Sequence, residues 1–178
     1  MDSPLNIHPG QRSADTSTFS PEKDLFAYRR ALGCFSTGVT VVTINTPQGP
    51  MGITANSFAS VSLDPPLVLW SPAKSSQRYP HFMAATRFGI HVLDADQKYI
   101  CDAFTRSKTA FDGLHWKPSH AGVPLLAETL ACFECNLEAM HDVGDHTIII
   151  GRVIRVQYRD SAPLVFHAGS YGGFAPTV

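Results

Sequence analysis

The 178-residue sequence has little charge and no long hydrophobic run. Charged residues make up 16% of the chain, and its 14 basic and 15 acidic side chains form no basic stripe, so a nucleic-acid-binding function has little support. No apolar run approaches the roughly 18 residues of a membrane span. The polar N-terminus lacks the apolar core of a signal peptide. We therefore predict a flexible tail over residues 1–19, a single domain over residues 20–178, and a cytoplasmic protein with no membrane partner.

Cysteine is scarce, and its spacing argues against a zinc site. One CxxC pair, Cys132 and Cys135, has no second pair to complete a tetrahedral site. The surrounding residues predict a β-strand, on which positions three apart face opposite sides. We therefore predict two buried, reduced cysteines. His141 and His146 are five residues apart with no further ligand at a suitable spacing, so no metal site is predicted.

The sequence also lacks the motifs of the common nucleotide-binding and hydrolase folds. No GxGxxG opens a helix after a predicted strand, no Walker A run is present, and no GxSxG elbow occurs. The stretch 169–173 is rich in glycine, but no helix follows it. Any dinucleotide must therefore bind without a Rossmann crevice.

The hydrophobic pattern predicts many strands and few helices. Ser20-Pro21 predicts a helix start, as an N-cap followed by proline at the first helical position. Residues 105–124 form a long loop that carries Phe111 and Trp116, and such loops are typically functional. The other predicted helices are 78–85 and 96–104, and the strands are 39–44, one from 51, 58–63, 67–70, 88–93, 129–140, 146–158 and 164–167. Because no regular βαβ alternation occurs, we predict a mainly β fold, an antiparallel barrel with peripheral helices.

Residues 52–62 carry an unusual run of hydroxyl and amide side chains on a backbone of small residues. On one continuous strand, Thr54, Asn56, Ser60 and Ser62 would share a face. A polar stripe in a barrel wall suits a polar ligand that also has a flat apolar part. The alternative is an ordinary solvent-facing strand, and the pattern alone leaves both open.

Two further stretches are candidates for ligand contacts. Ser71-Pro-Ala-Lys-Ser-Ser76 follows an apolar strand and precedes a predicted helix, so Lys74, the hydroxyls and free backbone N–H groups suit a phosphate. The alternative is a simple helix cap with a solvated lysine. Gly144-Asp145 places His146 at the mouth of the next strand.

Taken together, these motifs resemble those of the short-chain NAD(P)H:flavin oxidoreductases, the reductase components of two-component flavin monooxygenases. The most specific stretch is GITANSFASVSLDPPLVL, residues 52–69, and GDHTIIIGRV, residues 144–153, strengthens it. The resemblance covers residues 25–174. The remaining matches are Thr37–Thr43, Phe111-Asp-Gly, Leu130–Cys135 and Pro163–His167.

The resemblance implies a flavin-binding split β-barrel and a homodimer with the flavin near the subunit interface. It implies that Val39, Thr40 and Val41 line the flavin ring, that Thr54, Ala55, Asn56 and Ser57 meet its ribityl chain and ring edge, and that Ser71, Lys74, Ser75 and Ser76 hold the phosphate. Phe104 and Phe111 would lie near the ring or the dinucleotide, and His146 and Tyr171 near the nicotinamide. His146 is the candidate catalytic residue.

The implied activity is hydride transfer from NADH or NADPH to FMN or FAD, which would supply a partner monooxygenase with reduced flavin. This chemistry belongs to the cofactors, and the protein has to stack two flat rings and stabilise charge on the reduced flavin. No nucleophile is needed, which fits the absence of a catalytic triad. The alternatives are a flavin carrier or sensor without turnover, and an oxidase of the pyridoxamine-phosphate type.

Overall fold

The computed structural model describes residues 16–176, so the tail predicted for residues 1–19 lies largely outside the described residues. The helices are α1 (Leu25–Gly33), α2 (Tyr79–Met83) and α3 (Lys98–Arg106), and a 3₁₀ turn spans Ala95–Gln97. The strands are β1 (Thr37–Gly38), β2 (Thr40–Thr46), β3 (Gly49–Ala55), β4 (Ala59–Leu63), β5 (Pro66–Trp70), β6 (Arg87–Val92), β7 (Trp116–Pro118), β8 (Pro124–Leu126), β9 (Ala131–Val143), β10 (His146–Tyr158), β11 (Leu164–His167) and β12 (Ser170–Gly173). None of the helices in residues 16–176 has the length and apolar character needed to cross a membrane.

The strands form three antiparallel sheets. The largest has seven strands in the order β3-β2-β6-β9-β10-β5-β4, a second has the order β1-β11-β12, and β7 pairs with β8. Backbone hydrogen bonds from Val39 to Leu164 and from Leu93 to Val39 join the three-stranded sheet to the large one. The predicted mainly β, antiparallel architecture is confirmed.

Strand β2 is buried on both faces and separates two parts of the core. Val42 and Ile44 pack into one cluster with Trp70, whereas Val41 faces a second cluster that contains Phe104. Alternate residues of a strand point to opposite faces, so a strand covered on both sides is apolar at consecutive positions. This explains the unbroken β-branched run in this part of the sequence.

Helix α3 packs directly against β3, and a glycine permits the close approach. A Cβ atom added to Gly52 would lie 2.5 Å from the ring of Phe104, so only glycine fits there without displacing the aromatic ring. The Gly52 amide donates a hydrogen bond to the carbonyl oxygen of Lys108, at 2.9 Å. This α3–β3 seam supports the site described below.

The predicted helix start at Ser20-Pro21 is wrong. Helix α1 begins four residues later, because the Asp24 side chain accepts a hydrogen bond from the Ala27 amide at 2.8 Å and serves as the N-cap. Aspartate and serine are comparably good caps, so the local pattern did not distinguish between them.

The long loop predicted over residues 105–124 is also more ordered than expected. It contains β7 and leads into β8, with Trp116 paired to Leu126. The glycine-rich stretch that follows β11 forms a strand, β12, which the sequence analysis missed. Strands β7, β8 and β12 are short, and short strands form because a partner strand is present rather than because of their own composition.

The continuous polar face predicted over residues 54–62 is not formed. Strand β3 ends at Ala55 and β4 begins at Ala59, and the pairing of β4 with β5 shifts register between Ser60 and Ser62. The side-chain alternation is therefore interrupted twice. Thr54 and Asn56 remain close to each other, but Ser60 and Ser62 belong to a different edge of the sheet.

The prediction for the CxxC pair is confirmed. Cys132 and Cys135 are buried on β9 in different core clusters, so the two thiols face opposite sides of the strand. Burial raises the pKa of both thiols to about 12. Thiols of this kind are unreactive at neutral pH.

Candidate functional site

A cavity of about 280 Å³ opens between the end of β3 and the β11–β12 hairpin. Its walls combine small, hydroxyl, amide and aromatic side chains. They are Val39, Thr54, Ala55, Asn56, Phe166 and Tyr171. The structure thus brings together five of the predicted site residues and adds Phe166, which the sequence analysis did not single out.

The aromatic wall of the cavity is set by a tight turn. Ala168 and Gly169 both have positive φ, at 47° and 85°, and connect β11 to β12 as a two-residue hairpin loop. This turn fixes the register that pairs Phe166 with Tyr171, whose ring centroids are 5.1 Å apart. The glycine-rich stretch 169–173 therefore shapes the site through its turn and not through a phosphate loop.

The polar wall is held by two side-chain hydrogen bonds. Thr54 Oγ1 donates to the carbonyl oxygen of Cys101 on α3, at 3.1 Å. Thr40 Oγ1 donates to the carbonyl oxygen of Ala55, at 2.7 Å. Thr54 is thereby fixed against α3, and the end of β3 is fixed against β2.

Four predicted ring contacts lie in the core instead of the cavity. Their side chains are at most 5% exposed and are enclosed by protein; they are Thr40, Val41, Phe104 and Phe111. Phe104 and Phe111 pack edge to face at 5.0 Å beneath Gly52 and β2, which removes both rings from the cavity surface. These residues support the walls of the site, and we do not assign their side chains to a ligand.

Ser57 and Ser71 bond to each other. Ser57 Oγ accepts a hydrogen bond from the Ser71 amide at 2.9 Å and lies 3.3 Å from the Ser71 carbonyl oxygen, to which it donates. This pair joins the connection after β3 to the end of β5. It fixes the backbone beside Asn56, which is exposed at the rim of the cavity.

Lys74, which was predicted to bind the phosphate, already interacts with other groups of the protein. Its Nζ donates to the carbonyl oxygen of Gly144 at 3.1 Å and lies 3.7 Å from a carboxylate oxygen of Asp142. The Ser76 hydroxyl accepts from the Arg78 amide at 3.2 Å, and Ser75 is exposed. The loop therefore contacts the β9–β10 turn as well as solvent.

A cationic cleft of about 470 Å³ begins at Ser76, the last residue of this loop. It is formed by residues 76–78 before α2 and by residues 105–109, which are the last turn of α3 and the segment that follows it, and its cations are Arg78, Arg106 and Lys108. Arg106 is 4.0 Å from Asp102, whereas no carboxylate within residues 16–176 forms an ion pair with Arg78 or Lys108. Partial burial lowers the pKa of Arg78. Arg78 is thus partly desolvated, and Lys108 is exposed. Cations without a carboxylate partner suit an anionic ligand group.

Cleft and cavity lie along the same seam. Lys108, in the cleft, bonds to Gly52, and Thr54, in the cavity, is two residues further along β3. Two residues of a strand span roughly 7 Å. The backbone contact of the cleft and the polar wall of the cavity therefore lie close together on β3.

His146 begins β10, as predicted, and its side chain is 44% exposed. Its Nδ1 lies 2.8 Å from a carboxylate oxygen of Asp145, and its backbone bridges to Ala73. The hydrogen bond and charge of His146 lower the pKa of the Asp145 carboxyl. This contact leaves Nε2 free to face a ligand, because the carboxylate holds the other ring nitrogen.

The sequence matches the family model described as flavin reductase like domain over residues 32–175. It is 60% identical over 149 residues to the Agrobacterium fabrum protein named FMN reductase (NADH) SmoA, which covers 84% of this chain and 86% of that protein. It is 39% identical over 151 residues to the Rhodococcus jostii flavin-dependent monooxygenase reductase subunit HsaB, covering 84% and 77% of the two chains.

The fold is likewise similar to solved structures. The Streptomyces globisporus NADH:FAD oxidoreductase SgcE6 superimposes with a TM-score of 0.85 at 36% identity, covering 92% of this chain and 99% of that chain. A second structure of SgcE6 holds NAD and FAD fragments. These matches confirm the predicted split-barrel class and the enzyme class, an NAD(P)H:flavin oxidoreductase. The chain belongs to the flavin reductase-like family.

Proposed function

We propose that this protein reduces FMN with NADH and that the cavity between β3 and the β11–β12 hairpin holds the flavin ring. The observation that carries the proposal is the pairing of an aromatic wall, Phe166 and Tyr171, with a polar wall, Thr54 and Asn56, in one cavity. The choice of FMN and NADH is supported by the name of the 60% identical relative. When bound, the two cofactors supply the hydride donor and acceptor.

The residues of the cavity fit a flavin ring. Phe166 and Tyr171 offer apolar surface to a flat aromatic system, and the Asn56 amide offers donors for a polar ring edge. Thr54 and the backbone beside it are held rigid by the bonds to Cys101 and from Thr40. Because the one hydroxyl hydrogen of Thr54 goes to Cys101, the side-chain donor to the ring is Asn56, whose backbone is fixed by the Ser57–Ser71 pair. Donors held in place before the reaction stabilise developing charge better than mobile ones.

For the phosphate we propose the cationic cleft, with Arg78 and Lys108 as its main ligands. This replaces Lys74 as the principal phosphate contact, because Lys74 is already bonded to Gly144 and paired with Asp142. The hydroxyls of Ser76 and Thr109 line the same cleft.

We further propose a homodimer that covers helix α1. No residue of α1 is buried, and its exposed apolar side chains include Phe26 at 73% exposure; Phe35, just after the helix, is 78% exposed. Apolar surface of this kind marks an interaction site.

Light scattering should give a mass near twice 19.4 kDa at micromolar concentration. Phe35→Glu should yield monomers, whereas Tyr158→Glu, at 79% exposure on β10, should not. A monomeric wild-type protein would contradict this proposal.

His146→Ala should lower the rate of flavin reduction about tenfold while flavin affinity changes little. His146 lies at the start of β10 with one ring nitrogen held by Asp145, so its other nitrogen can orient the nicotinamide. A tenfold loss corresponds to roughly 1.4 kcal/mol of transition-state stabilisation. Stopped-flow reduction of pre-bound FMN measures it. If His146 only supports the strand, melting temperature and flavin affinity will fall together and the rate per bound flavin will survive.

The partner proposed is a flavin-dependent monooxygenase, and the proposal is supported by relatives named as reductase subunits of such enzymes. Cytoplasmic location remains a prediction from the sequence.

The function is tested by mixing the purified protein anaerobically with each of FMN and FAD and each of NADH and NADPH. Bleaching of the flavin absorption at a catalytic protein concentration supports the reductase, with the fastest rate expected for FMN and NADH. Flavin binding without bleaching would instead identify a carrier or sensor.

A further inference from the structure

One residue that does not line the cavity contacts two of its walls. The Cys101 carbonyl oxygen accepts the hydrogen bond from Thr54, and the Cys101 thiol lies 3.3 Å from the Tyr171 hydroxyl. Cys101 itself is fully buried in the middle of α3. One residue of the helix therefore contacts both the polar wall and the aromatic wall.

Tyr171 is held by α3 at two points. The Cys101 thiol meets its hydroxyl, and Lys98, one turn earlier on the helix, places Nζ 5.0 Å from the centre of its ring. Phe166 packs against the ring on the hairpin itself. Tyr171 is 38% exposed, so without these contacts its side chain has room to rotate away from the cavity.

We propose that Cys101 is a positioning residue of the flavin site, whose thiol fixes the Tyr171 ring in the orientation that forms the aromatic wall. The inference rests on the proposed flavin site. The backbone carbonyl of Cys101 holds Thr54 whatever its side chain, so substitution of the thiol acts on the Tyr171 wall alone.

The contact also has a signature in the cofactor-free protein. The hydrogen bond with Cys101 is the largest cause, followed by burial, that raises the pKa of Tyr171 to about 12. Loss of the thiol should therefore bring the phenol closer to its ordinary pKa of about 10.

The test compares Cys101→Ala and Cys101→Ser with Cys135→Ala, an equally buried cysteine in a different core cluster. Cys101→Ala should weaken FMN binding about fivefold, Cys101→Ser should retain most of the affinity because its hydroxyl can still form a hydrogen bond with the phenol, and Cys135→Ala should leave affinity unchanged. In the cofactor-free protein, ultraviolet titration should show one tyrosine, identified by its loss in Tyr171→Phe, ionising at lower pH in Cys101→Ala.

A double-mutant cycle separates positioning from general destabilisation. Adding Cys101→Ala to Tyr171→Phe should cost no further FMN affinity, since the hydroxyl that the thiol holds is already gone. Fully additive losses of FMN affinity, or an unchanged tyrosine titration in Cys101→Ala, would overturn the positioning role while leaving the flavin site in place. Unchanged FMN affinity in both Tyr171→Phe and Thr54→Val would instead overturn the site assignment and with it the proposal.

Discussion

Replacing Arg78 and Lys108 together with glutamine should weaken FMN binding by at least about a hundredfold and leave riboflavin binding within about twofold of wild type. Each cation can form a charge-assisted hydrogen bond to the phosphate, worth about 1.5–3 kcal/mol. Riboflavin has no phosphate group, so its binding does not depend on these bonds. The two side chains come from different segments but line one cleft, and no carboxylate in the described part of the chain neutralises them. Fluorescence titration of both ligands measures the effect.

Two control proteins make this result specific. Lys117→Gln with Arg155→Gln removes the same charge from exposed positions outside the cleft and should change FMN affinity little. Lys74→Gln should lower FMN affinity less than about threefold, because the lysine already bonds to the β9–β10 turn. If Lys74→Gln has the larger effect, the phosphate binds in the 71–76 loop as the sequence resemblance implied. Equal losses for FMN and riboflavin would place Arg78 and Lys108 near the ring.

Lowering the pH from 6.5 to 4 should reduce the free energy of unfolding by about 3 kcal/mol through His91 alone. His91 is fully buried, and burial lowers its pKa from 6.5 to about 4. The unfolded chain therefore takes up a proton through this window while the folded protein does not. The contribution of neutral His91 to the free energy of unfolding is fully present above pH 6.5. It is lost progressively down to about pH 4, at about 1.4 kcal/mol per pH unit.

The hydrogen bonds around His91 explain why protonation is unfavourable. The Thr43 hydroxyl has one hydrogen, which it donates to the Pro124 carbonyl at 2.6 Å, so it accepts from His91 Nε2 at 3.0 Å. Nδ1 is buried and has no hydrogen-bond partner within residues 16–176, so protonating it would add a charged donor with no acceptor there. Cys132, across the ladder from His91, has its pKa raised to about 12 and does not titrate in this range.

Urea unfolding between pH 4 and pH 7 measures this dependence. His91→Leu should flatten the curve in that window, and His115→Gln, at an exposed position, should leave it unchanged. The Asp94 carboxyl, whose pKa is lowered by hydrogen bonds led by that from Ser161, loses its contribution only at lower pH. A wild-type curve without slope between pH 6.5 and pH 4 would mean that the folded protein binds the proton at His91.

The sequence by itself determined most of the local elements and the family. The β9–β10 hairpin follows from Gly144-Asp145 between two predicted strands, the corner before β5 follows from Asp64-Pro65-Pro66, and the TANSF stretch pointed to the proposed flavin site. Turn residues and strand periodicity act over a few neighbouring positions, so they can be read without knowledge of the fold. The same short range explains the accurate prediction for Cys132 and Cys135.

Only the tertiary structure decided which side chains share a site. Arg78 and Lys108 are thirty residues apart and line one cleft because the segment before α2 lies beside the end of α3. Phe104 points into the core instead of the cavity because Gly52 leaves space for its ring, and Cys101 reaches Tyr171 across seventy residues. Side-chain direction depends on what fills the space opposite, and that space is created by elements distant in sequence.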